Sequence, residues 1–407
     1  MNRNNGSLRC ICGLSSLVLA AGPQVAVAQR GSQNIMELRF DLSTIYEDNI
    51  ARSSTVLAGD RGLEPEDVVI SPTVTLNIVR QVGTVELGVS GSIGYRFYSK
   101  NDELNRESIA LNARARAQLG PCRIDPTVGF RRGQSDLGDI VFLPTPGEES
   151  TRNIETTQTY GIDVGCGRNP GLQPFIGVKY ERADNSNPLR ERAEFDAITY
   201  RGGLRYVSDA VGEISLFGSR RNVDLAPFVA GGEAPSYRDD RVNLELRRDI
   251  GTRITTTAVV GYSNLTSDSA LVDEFSGLVW DIELSALIGP DFRISGGTGR
   301  EVGNSLASDA TFVVSKPHRV RLEYAFGDRV RLSAGVGLTE RSFGYATVPG
   351  PLVITDERRQ IYEGALAFDI GQRFQLRVFG GHERRNANGD IFDFTANYIG
   401  ASIGLRL

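Results

Sequence analysis

The sequence predicts an all-β fold: a transmembrane antiparallel up-and-down β-barrel of about 18 strands, with 16 as the alternative count. Three observations predict it. Long stretches alternate strictly between apolar and polar residues, short turn signals recur about every 40 residues, and an alternating stretch runs to the end of the chain. Alternation with a period of two is typical of a strand whose two faces meet different surroundings.

The first 28 residues differ from the rest and have the pattern of a secretory signal peptide. Arg3 and Arg9 give a short positive region, the apolar run CICGLSSLVLAA follows, and the segment AVA ending at Ala28 fits a cleavage site. We therefore expect a signal peptide over 1–28 and a single barrel domain over 29–407.

Composition narrows the function classes. The chain of 407 residues carries 45 Lys and Arg against 50 Asp and Glu, with the two signs interleaved. The absence of a basic block argues against a nucleic-acid partner. No metal-ligand cluster, phosphate-binding loop or dinucleotide motif occurs, so we expect no cofactor and no metal. Forty-six glycines and only two histidines describe a turn-rich β protein better than a metabolic enzyme.

The strand pattern is clearest in TVELGVSGSIGYRF, from Thr84 to Phe97. Its odd positions are apolar or Gly, whereas Glu86 and Arg96 lie on the other face. Comparable runs reach about 10 to 14 residues, which matches a tilted strand across a bilayer. Strands of a soluble sandwich usually have about five or six residues. Aromatics such as Tyr95 gather near the ends of the apolar faces, as in the girdles of membrane barrels.

Eight tight-turn signals set the strand count. Eight pairs of strands joined by these turns, with one strand at each terminus, give 18 strands and place both termini at the tight-turn end. The signals are QVGT, LGPC, GRNPG, SDAVG, DIGT, IGPD, FGDR and DIGQ. Longer polar loops are expected at about 48–66, 134–153, 185–194, 222–236, 265–274, 302–311 and 343–356. Short turns at one end and long loops at the other are the bacterial outer-membrane pattern.

The last strand, FDFTANYIGASIGLRL, is expected to close the barrel against the first, because an open edge is not tolerated in lipid. Ile399 and the alternate residues to Leu407 share one face. Phe392, Phe394 and Tyr398 fall on the opposite parity, so we predict a bulge near Tyr398.

Three stretches carry a resemblance to a known family: TIYEDNIARSS (44–54), DVVISPTVTLNI (67–78) and the strand described above. They resemble a family of outer-membrane β-barrel porins, in which the first strand ends in an aromatic-x-Asp-Asn-hydrophobic element and a later strand carries Pro. The resemblance covers 36–120 and is architectural beyond. It implies a Gram-negative outer-membrane barrel, often associated with exopolysaccharide export. The terminal Leu407 departs from the aromatic residue that commonly ends such barrels.

If the apolar face meets lipid, the polar face lines a lumen rich in arginine. Barrels of 16 to 18 strands are wide enough for a channel, and charged rings set its selectivity. Arg114 and Arg116 stand out, because they share a strand face with no carboxylate between them. The candidate lumen and selectivity residues are Arg96, Arg114, Arg116, Arg131, Arg205, Arg321 and Arg331. The opposing interpretation is that these ions pair across strands and only stiffen the wall.

The sequence thus favours a porin-like channel for diffusion or export of polar or saccharide solutes. One alternative is a plugged structural barrel that binds a surface polymer. A less favoured alternative is an outer-membrane hydrolase built on His318 or His382, near Ser315 and Glu383 respectively. Expected partners are outer-membrane lipid and a polysaccharide or small polar solute. A homo-oligomer is left open, because no protomer interface is specified.

Two cysteines, Cys122 and Cys166, remain after cleavage. They flank consecutive tight turns, so a periplasmic disulfide between them is one reading, and two separate thiols is the other.

Overall fold

The structure is a computed structural model that describes residues 34–139, 151–227, 234–269, 272–304, 310–345 and 354–407. The predicted signal peptide, residues 1–28, lies outside the described residues. The described chain forms a single closed antiparallel sheet of 18 strands. The predicted fold class is therefore confirmed at the higher of its two strand counts.

The strands are 12 to 16 residues long. In chain order they are β1 (Ile35–Glu47), β2 (Asp67–Val82), β3 (Val85–Tyr98), β4 (Arg106–Leu119), β5 (Cys122–Gln134), β6 (Ile154–Cys166), β7 (Gly171–Asn185), β8 (Phe195–Ser208), β9 (Gly212–Leu225), β10 (Ser236–Ile250), β11 (Ile254–Thr266), β12 (Phe275–Ile288), β13 (Phe292–Gly303), β14 (Phe312–Phe326), β15 (Val330–Gly344), β16 (Asp356–Ile370), β17 (Phe374–Ala387) and β18 (Phe394–Arg406).

Each strand pairs with its sequence neighbours, and β1 pairs with both β2 and β18. The ring of hydrogen bonds is thereby closed, which removes the free edge that lipid would penalise. All eight predicted tight turns join strands at one end. Six of them place a glycine at φ between 58° and 70°, a conformation that other residues adopt only with strain. These are Gly83, Gly120, Gly251, Gly289, Gly327 and Gly371.

Nine connections lie at the opposite end, and two of them, 99–105 and 388–393, were not among the predicted loops. The first connection holds the only α-helix of the described residues, α1 (Thr55–Asp60). Short 3₁₀ turns occur at Asp102–Leu104, Leu137–Asp139, Pro188–Ala193 and Asp390–Phe392. None of the helices in the described ranges is long and apolar enough to cross a membrane.

The two faces of the wall differ as the alternation predicts. On β3 the large apolar residues point outward: Ile93 is 56% exposed and Phe97 is 48% exposed. Glu86 and Arg96 lie on the inner face. The same division holds around the barrel, so the outer surface is a continuous apolar band.

The predicted bulge near Tyr398 is wrong. β18 keeps one register against β17 from Phe394 to Leu405, and one register against β1 from Tyr398 to Arg406. Phe394 and Tyr398 therefore remain on the inner face, with Arg406. Phe394 and Tyr398 thus point into the barrel, and no bulge turns them to the membrane face.

Candidate functional site: the lumen wall and the outer mouth

Most arginines on the inner wall are ion-paired with carboxylates of the same or the neighbouring strand. Arg205 Nε lies 2.9 Å from Glu213 Oε1, and Arg331 Nη2 lies 2.9 Å from Asp369 Oδ2. Arg321 contacts Glu323 at 2.9 Å and a Glu363 oxygen at 3.5 Å. Strand alternation brings these pairs together, because residues i and i+2 share a face, and so do diagonal neighbours on adjacent strands, such as Arg331 and Asp369.

Arg114 and Arg116 differ in a way that their shared strand face did not predict. Arg116 Nε lies 3.3 Å from Asp125 Oδ1, and its Nη1 lies 3.5 Å from Glu86 Oε1. Arg114 has no ion pair with any described residue. Its side chain lies along the wall beside Gly88, where a Cβ would be 3.1 Å from Arg114 Nε. The glycine leaves room for the guanidinium to lie flat.

Arg96 is the second candidate without an ion pair among the described residues. The residue opposite it in the register is Arg106, the first residue of β4. Arg106 also lacks an ion pair in the described part of the chain, and its Nη1 donates to the carbonyl of Asn105. We call Arg96, Arg106 and Arg114 the arginine track. Arg131 lies on the same wall, opposite Ala110.

The wall around the arginine track is small and polar. From Gly88 and Arg114 towards the long loops, the inner residues of β2 to β5 include one carboxylate, Asp67 at the start of β2, which is buried and accepts from the backbone N–H groups of Ser99 and Asn101. They are mainly Gly, Ser, Thr and Asn, including Thr73, Thr75, Asn77, Ser90, Ser92, Ser108, Asn112 and Thr127. Apart from the buried Asp67, this wall presents positive charge and hydroxyl groups to the lumen.

The outer mouth, at the end of the long loops, is narrowed by chain that folds into the barrel. In the first loop, Ser54 Oγ caps α1 by accepting from the Leu57 backbone N–H at 3.3 Å, and Leu57 and Ala58 are buried. Leu57 packs with Phe343, Ile354 and Phe392. A second apolar cluster contains Ala51, Ala58, Leu63, Leu104 and Leu137. The first loop therefore has a core inside the mouth.

The described ends of β13 and β14 next to the long loop also lie inside the barrel. Pairing of β12 with β13 stops at Arg300, and the rest of β13 crosses to the inner face of β10. Arg241 Nη2 donates to the Val302 carbonyl at 2.8 Å, and Tyr237 Oη lies 2.9 Å from Asn304 Oδ1. Val302 and its opposite residue Val314 are buried in an apolar cluster with inner residues of β7 to β12.

A buried ion cluster holds the first loop in place. Arg52 Nη1 lies 3.1 Å from Glu383 Oε2 and 3.6 Å from Asp136 Oδ2, and Arg52 Nε lies 3.3 Å from Glu47 Oε1. Arg359 Nη2 lies 3.0 Å from Asp136 Oδ2 and also contacts Glu383. Arg52 adopts a φ of 48°, a strained value for a residue with a side chain. The cluster joins two loops to three strands.

Electrostatics in the mouth follow from this geometry. Burial raises the pKa of Asp136, but Arg359 and Arg52 outweigh burial and hold that pKa well below its usual range. Burial lowers the pKa of Arg52, yet the three carboxylates around it raise that pKa above the usual value. Arg61 Nη1 donates to the carbonyl oxygens of Ala51 at 3.1 Å and Leu137 at 3.3 Å. Burial, with Arg190 and Arg385 nearby, lowers the pKa of Arg61 to about 9.

The hydrolase alternative finds no support in the geometry. His318 and His382 both face outward, where His318 Nδ1 lies 2.9 Å from Thr298 Oγ1 and His382 Nδ1 lies 2.7 Å from Asn397 Oδ1. Ser315 and Glu383 lie on the opposite face of the same strands, because their parity differs. No group of three or more metal-ligating side chains is arranged to hold an ion within the described ranges.

Cys122 and Cys166 are directly opposed on β5 and β6, next to tight turns. The structure joins them by a disulfide that spans 44 residues of sequence. The intervening strands that would keep the thiols apart do not exist, because β5 and β6 are neighbours.

Sequence reasoning missed three features of the site: Arg106, the buried ion cluster and the inward hairpin. A signal for the hairpin was present. Phe312, Val313 and Val314 are three consecutive apolar residues, so both faces of the strand are apolar here. This is typical of a strand that is buried on both faces. The ion cluster had no local signal, because its members lie far apart in the sequence.

Comparison with protein-family models and with curated proteins gives no match. Among solved structures, the chain is similar to OccK2 (OpdF) of Pseudomonas aeruginosa, with a TM-score of 0.47 and 12% identity over 91% of this chain and 97% of that chain. The outer membrane protein opdK of the same organism gives 0.45 and 14% identity, over 92% and 99%. The FrpB iron transporter of Neisseria meningitidis gives 0.48 and 9% identity, over 86% and 62%. The second of these is named as an outer membrane protein and the third as an iron transporter.

Proposed function

We propose that the protein is an outer-membrane channel that conducts small polar solutes and prefers anions. The observation that carries the proposal is the arginine track: three lumen arginines without an ion pair among the described residues, on a wall where the one carboxylate between Gly88 and the long loops, Asp67, is buried. A closed barrel of 18 strands has an interior wide enough for an aqueous path. The other lumen arginines are neutralised by the carboxylates they pair with, so they contribute less to selectivity.

The arginine track suits solutes that combine a carboxylate or phosphate with hydroxyl groups. Like charges directly opposite each other on a sheet are destabilising, so an anion between Arg96 and Arg106 offsets that repulsion. Guanidinium groups bind carboxylates through two parallel hydrogen bonds. The hydroxyl and amide side chains beside them can exchange hydrogen bonds with a polyol. A sugar acid has this chemistry.

The narrowed mouth favours small solutes over a polymer. Passage of an exopolysaccharide chain would require the first loop or the β13–β14 hairpin to leave the barrel, which breaks the buried clusters. A role in exopolysaccharide export therefore rests on the sequence resemblance alone. We propose that residues 1–28 are a signal peptide that directs export. N-terminal sequencing of the mature protein should then give Gln29 as its first residue.

Planar-bilayer recording of the purified full-length barrel tests the proposal. In a potassium chloride gradient we expect discrete conductance steps and a reversal potential displaced towards that of chloride. Vesicles containing the barrel should take up glucuronate faster than glucose, although the two solutes differ little in size. Conductance with a reversal potential on the potassium side would contradict the proposal.

A plugged structural barrel is the second candidate, and the apolar clusters inside the outer mouth favour it. The same recordings separate the two functions, because a plugged barrel shows no steps. If steps appear only after the mouth is loosened by the substitution of Arg52 described below, the resting barrel is plugged.

A further inference from the structure

Three cations extend the outward face of β14, β16 and β17 beyond the apolar band. On β16 the outward residues run from Ile370 through Leu366 to Tyr362, each 48% or 49% exposed. The same face continues outward with Gln360 and then Arg358, which is exposed. On β14 the corresponding position is Lys316, and on β17 it is Arg384. We call Lys316, Arg358 and Arg384 the cationic row.

The register places these residues side by side. Lys316 is opposite Glu340 of β15, Glu340 is opposite Arg358, and Arg384 is opposite Gln360, the outward neighbour of Arg358. Adjacent strands lie about 4.8 Å apart, so the row spans three strand spacings, or about 14 Å. That width is comparable with one phospholipid or glycolipid headgroup.

The height of the row follows from strand geometry. Arg358 lies four residues beyond Tyr362, the last aromatic residue of the outward face on β16. At about 3.3 Å per residue and a strand tilt of about 40°, Arg358 lies about 10 Å further out than Tyr362. Aromatic girdles mark the boundary between hydrocarbon and headgroups, so the cationic row lies at headgroup depth.

Other outward arginines near the long-loop end are neutralised by carboxylates. Arg182 Nε lies 2.9 Å from Asp184 Oδ1, Arg220 Nε lies 2.7 Å from Asp240 Oδ1, and Arg132 Nε lies 2.9 Å from Glu107 Oε1. In the cationic row, Arg358 and Arg384 have no ion pair with a described residue. Arg384 Nε donates to Asn386 Oδ1 at 3.1 Å. The nearby outward carboxylates are Glu340 and Asp356, fewer than the three cations.

We propose that the cationic row binds the phosphate groups of an anionic glycolipid in the outer leaflet of the membrane. Guanidinium and ammonium groups at headgroup depth that lack a protein carboxylate leave their charge for the lipid, and phosphate is the matching group. On the opposite wall, Arg132, Arg182 and Arg220 are already paired with carboxylates of the described residues. The inference rests on the outer-membrane location proposed above and does not depend on whether the barrel conducts.

Native mass spectrometry of the purified barrel, titrated with bis-phosphorylated lipid A and with dephosphorylated lipid A, tests this site. The key variant is Arg358→Gln with Arg384→Gln. Its matched control is Arg182→Gln with Arg220→Gln, which removes the same charge at the outer face of β7 and β9. Heat-modifiable mobility on gels verifies folding of each variant.

We expect the key variant to bind phosphorylated lipid A roughly 30-fold more weakly, at about fivefold per arginine, and the control to bind like the unsubstituted protein. Arg358→Lys with Arg384→Lys should retain most of the binding, which keeps the test decisive if the glutamine variant does not fold. Equal losses in both glutamine variants, or equal affinity for the dephosphorylated lipid, would overturn the proposal. A conducting barrel without this lipid preference would leave the proposed function standing.

Discussion

The outer mouth and the arginine track use the same side chain in opposite ways. In the mouth, Arg52 and Arg359 are largely shielded from water and contact carboxylates of one loop and two strands. In the track, Arg96 and Arg114 face the lumen without a carboxylate. A buried pair that loses one partner leaves a charge with neither water nor counter-ion, whereas an exposed arginine can be replaced without that penalty. The mouth arginines therefore determine structure, and the track arginines determine which ions pass.

The largest effect is expected from Arg52→Ala. This change leaves Glu47, Asp136 and Glu383 with less compensation in a buried site, at a cost of about 3–5 kcal/mol in the free energy that holds the first loop in the barrel. We expect higher single-channel conductance and proteolytic cleavage within 48–66. A variant with unchanged conductance and unchanged protease resistance would show that the mouth does not depend on this cluster. Arg168→Ala, in a tight turn, is the control.

Loss of the disulfide is expected to have the next largest effect. Cys122→Ser with Cys166→Ser removes a cross-link that spans 44 residues, which lowers the free energy of unfolding by about 2–4 kcal/mol. Urea titration in detergent micelles measures the change, and bilayer recordings should show the same ion selectivity as the unsubstituted barrel. An unchanged urea midpoint would mean that the thiols are not cross-linked in the mature protein.

The pH dependence separates the mouth from the track. Asp136 has a folded pKa below its unfolded value of about 3.9, so its contribution to stability is present above that pH and is lost as the pH falls through the folded value. We expect conductance to stay constant from pH 7 to about pH 5 and to rise only below about pH 4, as the first loop is released. Asp136→Asn should remove the acid-induced rise, since the variant lacks the titrating group. A rise between pH 6 and 5 would assign the opening to another group.

Neutralising a partly exposed lumen ion pair should have the smallest effect. Arg331→Gln with Asp369→Asn removes both charges of a lumen ion pair and leaves the net charge unchanged. We expect a change below about 1 kcal/mol in the free energy of unfolding and no shift in reversal potential. A displaced reversal potential would show that paired arginines also set selectivity, and the distinction between paired and unpaired residues would fail.

The sequence predicted the features that depend on local interactions and missed those that depend on residues far apart in the chain. The 18 strands and eight tight turns were accessible, because alternation and turn glycines are local signals. The ion pairs of Arg116 could not be predicted, because its partners Glu86 and Asp125 lie on two other strands and only the register brings them together. The bulge at Tyr398 was wrong because aromatic residues were assigned to the membrane face alone.

The outer mouth was beyond the same reasoning. Its loops were recognised as polar and irregular, but their fold depends on contacts between distant segments, such as Leu57 with Ile354. Arg106 was overlooked because it begins a strand directly after a loop, where alternation has no preceding residues to indicate its face.

The central claim is that unpaired arginines on the wall of β3 and β4 give the channel its preference for anions. The most direct test is the reversal potential of Arg96→Glu with Arg114→Glu in a potassium chloride gradient, beside Arg168→Glu with Arg373→Glu, two tight-turn residues, as a control of equal charge. We predict that the track variant reverses on the potassium side while the control stays on the chloride side. A track variant that remains on the chloride side, with the barrel folded and conducting, would contradict the account.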